Sequence, residues 1–166
     1  MPKLIKDGAV SQDTWTFLKD ATGSDVLAAL RGKNIIIPLS FWQLYQEELE
    51  AYEGLLGIWL DSDELVDTIK NDISNFPIIA LNFPVFSDGR SYSNARQLRQ
   101  EFGYSGEIRA LGDVLRDQLF YMQQCGFNSF ALRHDQDVDS CLTAFADFSE
   151  SYQATTVKQD PLFRRR

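Results

Sequence analysis

The sequence predicts an α/β fold, a mainly parallel sheet from about five successive βα units curled into a partial barrel. Three observations carry that expectation. Beyond residue 34, short apolar runs recur five times, each followed by a polar cap and a stretch with helical spacing. The first three of these runs are almost continuously apolar, the pattern of parallel strands buried on both faces. No glycine-rich first turn marks the switch point of a dinucleotide-binding sheet, and neither GxGxxG nor GxxxxGK[ST] occurs. A doubly wound open sheet is the alternative, because sequential βα units can form either architecture.

The elements follow in order. Residues 1–33 read as an N-terminal arm, opening on a short hairpin from Leu4 to Val10 with Asp7 and Gly8 at its turn. Thr14 to Leu18 reads as a further strand or a turn of helix. Residues 34–153 form the single α/β domain. Ile35 to Leu39 is its first strand, and Phe41 to Tyr52 its first helix, with Phe41, Leu44, Tyr45 and Leu49 near one face. Leu56 to Leu60 is the second strand; Asp61 and Ser62 cap a helix from Asp63 to Asn75, on which Leu65, Ile69 and Ile73 recur every four residues. Pro77 to Phe83 is the third strand and Ser91 to Phe102 its helix. Gly106 to Leu111 is the fourth, then Val114 to Cys125 a helix closed by Gly126. Ser129 to Arg133 and a helix from Ser140 to Tyr152 complete the series. Residues 154–166 read as a flexible tail.

The fourth strand alternates. Ile108 and Ala110 fall on one side, Glu107, Arg109 and Leu111 on the other, so it lies at a sheet edge or lines a polar cavity.

The chain has 166 residues with 16 basic and 24 acidic side chains, a formal net charge of −8. That balance argues against nucleic-acid binding, which depends on clustered Lys and Arg. No apolar run reaches the roughly 18 residues of a membrane span, and residues 1–10 lack the hydrophobic stretch of a secretory signal, so a cytoplasmic location is expected. Cys125 and Cys141 form no CxxC pair and fall short of a zinc or iron–sulfur ligand set. Cys125 reads as a small buried hydrophobe. The single histidine, His134, stands in no nucleophile motif. Trp15, Trp42 and Trp59 read as packing residues, no flavin or nicotinamide signature is present, and neither a metal nor another cofactor is expected.

The charge is uneven. Residues 1–85 carry 6 basic and 13 acidic side chains, residues 86–166 carry 10 and 11, and every arginine except Arg31 lies in the second part. Arginine grips oxyanions by two parallel hydrogen bonds. In a parallel sheet ligands collect beyond the C-terminal strand ends, and two polar loops sit there, residues 86–96 and 112–118. In the first, Asp88 and Gly89 form a turn, Ser91 or Ser93 caps the helix, Tyr92, Arg96 and Arg99 share one of its faces at i, i+4, i+7, and Arg90 stands just before it. In the second, Arg116 stands in a first helical turn, where the helix dipole disfavours a cation by about 0.3–1 kcal/mol. Arg109 needs a partner or a cavity, because a charge in a sheet is costly unpaired. The candidate ligand-binding set is therefore Arg90, Ser93, Arg96, Arg109, Arg116 and Gln118, around a small anion. The candidate catalytic set is Asp88, Asp113, Asp117 and Tyr92; Asp113 and Asp117 at i, i+4 would suit acid–base work. Each of these residues also has an ordinary structural role open to it, in caps, ion pairs and packing.

NFPVFSDGRSYSNARQLR at 82–99 and GEIRALGDVLRDQLFYMQQCGFNSFALR at 106–133 resemble the bacterial family called domain of unknown function 934, and LIKDG and DFSESYQ extend the likeness over nearly the whole chain. The family pattern falls on Phe83, Pro84, Asp88, Gly89, Arg90, Tyr92, Ser93, Arg96, Leu98 and Arg99, and on Arg109, Gly112, Asp113, Arg116, Asp117 and Gln118. This chain departs from it with Asn82, Val85 and Ser91, where Asp, Lys and Gly are frequent. Members are labelled as oxidoreductases of sulfite reduction, a label resting on genomic neighbourhood. The resemblance implies an accessory protein of assimilatory sulfite reduction, and together with the segregation of the arginines it motivates an oxyanion-binding cleft built by Arg90, Arg96, Arg109 and Arg116. It does not imply the siroheme subunit, since six-electron reduction of sulfite runs through siroheme and an iron–sulfur cluster for which the cysteines are lacking. The alternatives are an enzyme of unknown reaction using Asp88, Asp113 or Asp117, and a noncatalytic module that docks on sulfite reductase. The expected partners are a small anion, components of that reductase and a second copy of the chain, with neither nucleic acid nor membrane among them.

Overall fold

The computed structural model describes residues 3–19, 23 and 25–146. Its eight strands form one sheet, curled into a half-barrel, in the order β2-β1-β8-β7-β6-β5-β4-β3. They are β1 Lys3–Lys6, β2 Ala9–Ser11, β3 Thr16–Phe17, β4 Ile35–Pro38, β5 Leu56–Leu60, β6 Ile78–Phe83, β7 Glu107–Gly112 and β8 Ser129–Leu132. From β3 to β8 each strand pairs in parallel with the next in sequence, and β1 runs antiparallel to both β8 and β2.

That order decides between the two expected architectures. A doubly wound sheet reverses its strand order at a switch point and places helices on both faces. Here the order never reverses from β3 to β8, so right-handed connections lay every helix on the same face. The main core holds helix side chains such as Phe41, Leu98, Met122 and Ala144 against Ile35, Ile58, Ile79, Ile108 and Phe130. The opposite face carries a separate small cluster of Ile36, Ile78 and Ala80 with Trp15, Phe17, Trp59 and Leu111 around it, none of them from a helix. The continuous apolar runs are thus covered by helices on one side and by residues of the chain's own beginning on the other.

Residues 3–11 pair as a hairpin through Asp7 (φ 52) and Gly8 (φ 81), the left-handed pair that a tight two-residue turn needs. Rather than standing off as an arm, β1 extends the sheet beside β8, with Ile5 opposite Phe130. The link from β2 to β3 then dictates the curl. Eight flat strands would separate the two edges by about 34 Å at about 4.8 Å per spacing. The link from Ser11 to Thr16 spans at most about 18 Å fully extended. The sheet must bend until its edges approach, and residues 12–15 bridge the gap.

Helices depart from expectation in three places. The stretch expected from Phe41 to Tyr52 is α2 Leu39–Leu44 and α3 Gln46–Glu50, broken at Tyr45 (φ −124, ψ 36). The helix expected over 63–75 is instead two 3-10 turns, Val66–Ile69 and Ile73–Asn75. β-branched Val66, Thr68 and Ile69 and the flanking Asp and Asn side chains weaken an α-helix. The buried residues are Val66 and Ile69, three apart as a 3-10 turn requires, while Leu65 is 62% exposed. Third, Arg116–Gln118 is a 3-10 turn ahead of α5 Leu119–Cys125, which Gly126 ends at φ 118. Besides the short α1 Asp25–Ala29, the remaining helices are α4 Arg90–Gln100 and α6 Val138–Ala146. The expected continuation of α6 to Tyr152 and the tail from 154 lie outside the described residues. Among these helices none is long and apolar enough to cross a membrane.

Candidate functional site

The helix-free face of the half-barrel encloses a cavity of about 610 Å³ lined by Asp13, Phe17, Lys19, Trp59, Asn82, Leu111, Gly112, Ala131 and Leu132. Its strand residues come from the C-terminal parts of β5 to β8, the end at which parallel barrels collect ligands. Asp13 belongs to the bridge across the edges, and Phe17 and Lys19 to β3 and just beyond.

The pleat explains this assembly. Successive residues of a strand face opposite ways, so Ile108 and Ala110 enter the helical core while Glu107, Arg109 and Leu111 lie on the helix-free side, where Leu111 lines the hollow. Since β7 lies between β6 and β8, it is no sheet edge, and Leu111 and Gly112 at its end line the cavity. Arg109 is 1% exposed. Its Nε and Nη2 donate to Glu107 Oε2 at 3.1 and 3.0 Å, Nε also to Ser129 Oγ at 3.2 Å, and Nη1 to Asp13 Oδ1 at 3.0 Å. Lys6 Nζ completes the row 3.1 Å from Glu107. A buried guanidinium is thereby flanked by two carboxylates, and the bridge is pinned across the hollow at Asp13. The Trp15 amide also donates to Asp13 Oδ1 at 3.0 Å, and Trp59 Nε1 donates to the Leu18 carbonyl at 3.3 Å.

At the mouth, Asn82 Nδ2 donates to Asp61 Oδ1 at 3.0 Å. Gly112 (φ 86) crosses beside it, and a Cβ there would stand 2.3 Å from the Phe83 carbonyl oxygen and 2.6 Å from Asn82 Oδ1.

The other expected site residues lie elsewhere. Arg90 is chelated by Asp88, with Nε to Oδ1 at 3.0 Å and Nη2 to Oδ2 at 2.7 Å, and Nη2 also reaches Ser62 Oγ at 2.9 Å. The arginine's hydrogen bonds hold the Asp88 carboxyl well below the usual carboxylate range, so Asp88 stays ionised and has no proton to give near neutral pH. Arg96 donates to the Tyr121 hydroxyl and lies 5.4 Å over its ring, on the outer side of α4 and α5. Tyr92 packs between Phe83 and Tyr121, with ring centroids at 5.0 and 4.8 Å, and burial pushes its hydroxyl up to about 12. Ser93 and Asp117 are exposed. Asp113 faces Arg133 at 3.5 Å. Arg116 turns to α6, donating to the Ser140 carbonyl at 2.9 Å. Gln118 Nε2 donates to the Phe86 carbonyl at 2.7 Å.

None of the expected set is among the described residues that line the hollow; Arg109 touches that lining through Asp13, its ion-pair partner. Arg90, Arg96 and Arg109 share no partner, and the described contacts do not bring the four arginines to one cleft. Asp13, Phe17 and Trp59 were missed by sequence reasoning. A two-residue strand carries no periodicity, and a tryptophan in an apolar run reads as packing. A cue existed in Arg109, whose buried charge required a carboxylate from somewhere. Among the described residues no group of three or more His, Cys, Asp and Glu side chains could hold a metal ion. Cys125 and Cys141 are both buried free thiols, and burial raises the pKa of each.

A comparison with curated proteins finds no match. A family model described as "Bacterial protein of unknown function (DUF934)" matches residues 57–163, which include β6 to β8 and all of β5 but Leu56, and hence most of the strand wall of the hollow. With well over half of its length matched, the chain belongs to the DUF934 family.

Proposed function

We propose that the chain binds a small organic molecule in the hollow of its half-barrel, and that it serves sulfite reduction as an accessory component, the role the resemblance implies. The single observation that carries the first part is the 610 Å³ cavity at the C-terminal strand ends. Its size falls within the ordinary range for small-molecule sites, about 300–1,000 Å³, and it joins an apolar wall to a few placed polar groups. Among the described residues of the lining Lys19 is the cationic side chain, so an anionic part of a ligand would meet Lys19 at the rim. The sulfite connection rests on the resemblance alone.

Thermal-shift screening followed by calorimetry tests binding, with sulfite, sulfate and phosphate included beside neutral fragments. Ala131→Trp, which fills the hollow from β8, should abolish the shifts seen with the wild-type protein. If no compound binds, or Ala131→Trp leaves binding intact, the hollow is not the site.

A second reading, docking on the reductase without chemistry, is favoured by a distinct observation. Val85, Phe86 and Tyr121 are 50%, 55% and 47% exposed, and the loops around them are engaged in internal hydrogen bonds. Co-purification with sulfite reductase subunits that is lost in Phe86→Ser would support it; equal retention of the variant would remove it.

A further inference from the structure

We propose that the hollow recognises a flat nitrogenous molecule, an amino-substituted heteroaromatic ring, by accepting its N–H donors at Asp13 Oδ2 and Asn82 Oδ1. This rests on the hollow being a ligand site and adds the chemical class that fits it.

Besides the Lys19 ammonium at the rim, the polar side chains of the described lining are Asp13 and Asn82, and protein contacts set the orientation of both. Asp13 Oδ1 accepts from both Arg109 Nη1 and the Trp15 amide at 3.0 Å, which leaves Oδ2 as the oxygen with no described donor. Asp13 itself lines the cavity and keeps 17% of its side chain exposed, so that oxygen is reachable. Asn82 is oriented by chemistry. A carboxylate can only accept, so the nitrogen of the amide must face Asp61, 3.0 Å away, and the carbonyl oxygen turns the other way, over Gly112. Gly112 lines the same cavity. Around these two oxygens stand Trp59 and Phe17, with Leu111, Ala131 and Leu132 completing an apolar wall. Trp59 is held by its Nε1 bond to the Leu18 carbonyl. Aromatic walls favour a flat body, and two fixed acceptors favour N–H groups on its edge. An oxyanion placed between these two oxygens would turn lone pairs towards lone pairs; Arg109 is already occupied by Asp13 and Glu107, and the Lys19 ammonium stands at the rim.

The test uses the full chain and three probes: 2-aminobenzimidazole, which is flat and carries N–H donors; benzoate, flat without them; and sulfite. Titration calorimetry should give binding of 2-aminobenzimidazole and at least tenfold weaker binding of the other two. In Asp13→Asn the side-chain oxygen must still accept from Arg109 and Trp15, so the new NH2 replaces the free acceptor, and affinity for 2-aminobenzimidazole should fall at least tenfold. Trp59→Leu, which leaves the charge network untouched, should also weaken it, and it serves if Asp13→Asn does not fold. Unchanged affinity in a folded variant overturns the proposal, as does wild-type preference for benzoate or sulfite. Benzoate binding that Ala131→Trp removes would keep the hollow as a site while discarding the donor class. Failure of all three probes overturns the class assignment, and the wider screen above then decides the hollow itself.

Discussion

Gly112 has no tolerance for a side chain. Its φ of 86 is left-handed, and a Cβ would meet the Phe83 carbonyl oxygen at 2.3 Å. Gly112→Ala should lower stability by about 1–3 kcal/mol through the strained backbone alone, with the contact adding to it; the urea midpoint measures this, and a shift near zero would mean the turn relaxes freely. Arg99 has an equally local explanation. Its guanidinium donates to the Gly126, Tyr104 and Gly106 carbonyls at 3.0, 2.7 and 2.9 Å, so it ties α4 to the turn after α5 and to the approach to β7. Asp88 and Arg90 form a closed pair that should register in acid. The Asp88 pKa in the folded state lies below its unfolded value of about 3.9. Its contribution is therefore fully present above about pH 4 and is lost as pH falls through the folded value. Stability of Asp88→Asn should decline less steeply than wild type below about pH 4 and run parallel to it above. Identical acid limbs would show that the pair contributes nothing.

At the scale of elements, β7 and the bridge over the hollow form one unit. The alternation of Glu107, Arg109 and Leu111 against Ile108 and Ala110 is visible in the sequence, and the polar side it predicts is the helix-free side of the sheet. Arg109 joins that strand to Asp13, 96 residues earlier. Removing a buried partner from such a network leaves uncompensated charge, typically at about 3–5 kcal/mol. Arg109→Leu should therefore cost about that much in denaturant unfolding, because both Asp13 and Glu107 lose their cation. A loss below about 1 kcal/mol would mean that water or Lys6 replaces it. The helical elements were less legible. Four-residue spacing of Leu65, Ile69 and Ile73 imitates an α-helix, whereas the buried pair is Val66 and Ile69. The arginines expected around one anion separate instead, because each is held by a different element: Arg90 by Asp88, Arg96 by Tyr121, Arg109 by Asp13 and Glu107, and Arg116 by the Ser140 carbonyl of α6.

Over the whole molecule, the central strands should be the last to open. β6 and β7 are six residues each, paired on both sides, whereas β2 and β3 are edge strands of three and two residues. Hydrogen exchange should be slowest in β6 and β7 and fastest in β2 and β3; uniform protection would mean that the bridge makes the sheet open as one unit. The sequence by itself determined the strand positions after residue 34, the parallel α/β class and the polar side of β7, because these follow from local periodicity and the alternation of the pleat. Only the tertiary structure decided that β1 joins β8, that the sheet curls until a short bridge spans its edges, and that Asp13, Phe17 and Trp59 meet Asn82 and Gly112 around one hollow. Those outcomes depend on pairings between segments far apart in the chain, as far as Lys3 from Leu132, and no local pattern of apolar and polar residues encodes which distant partner a strand edge will find.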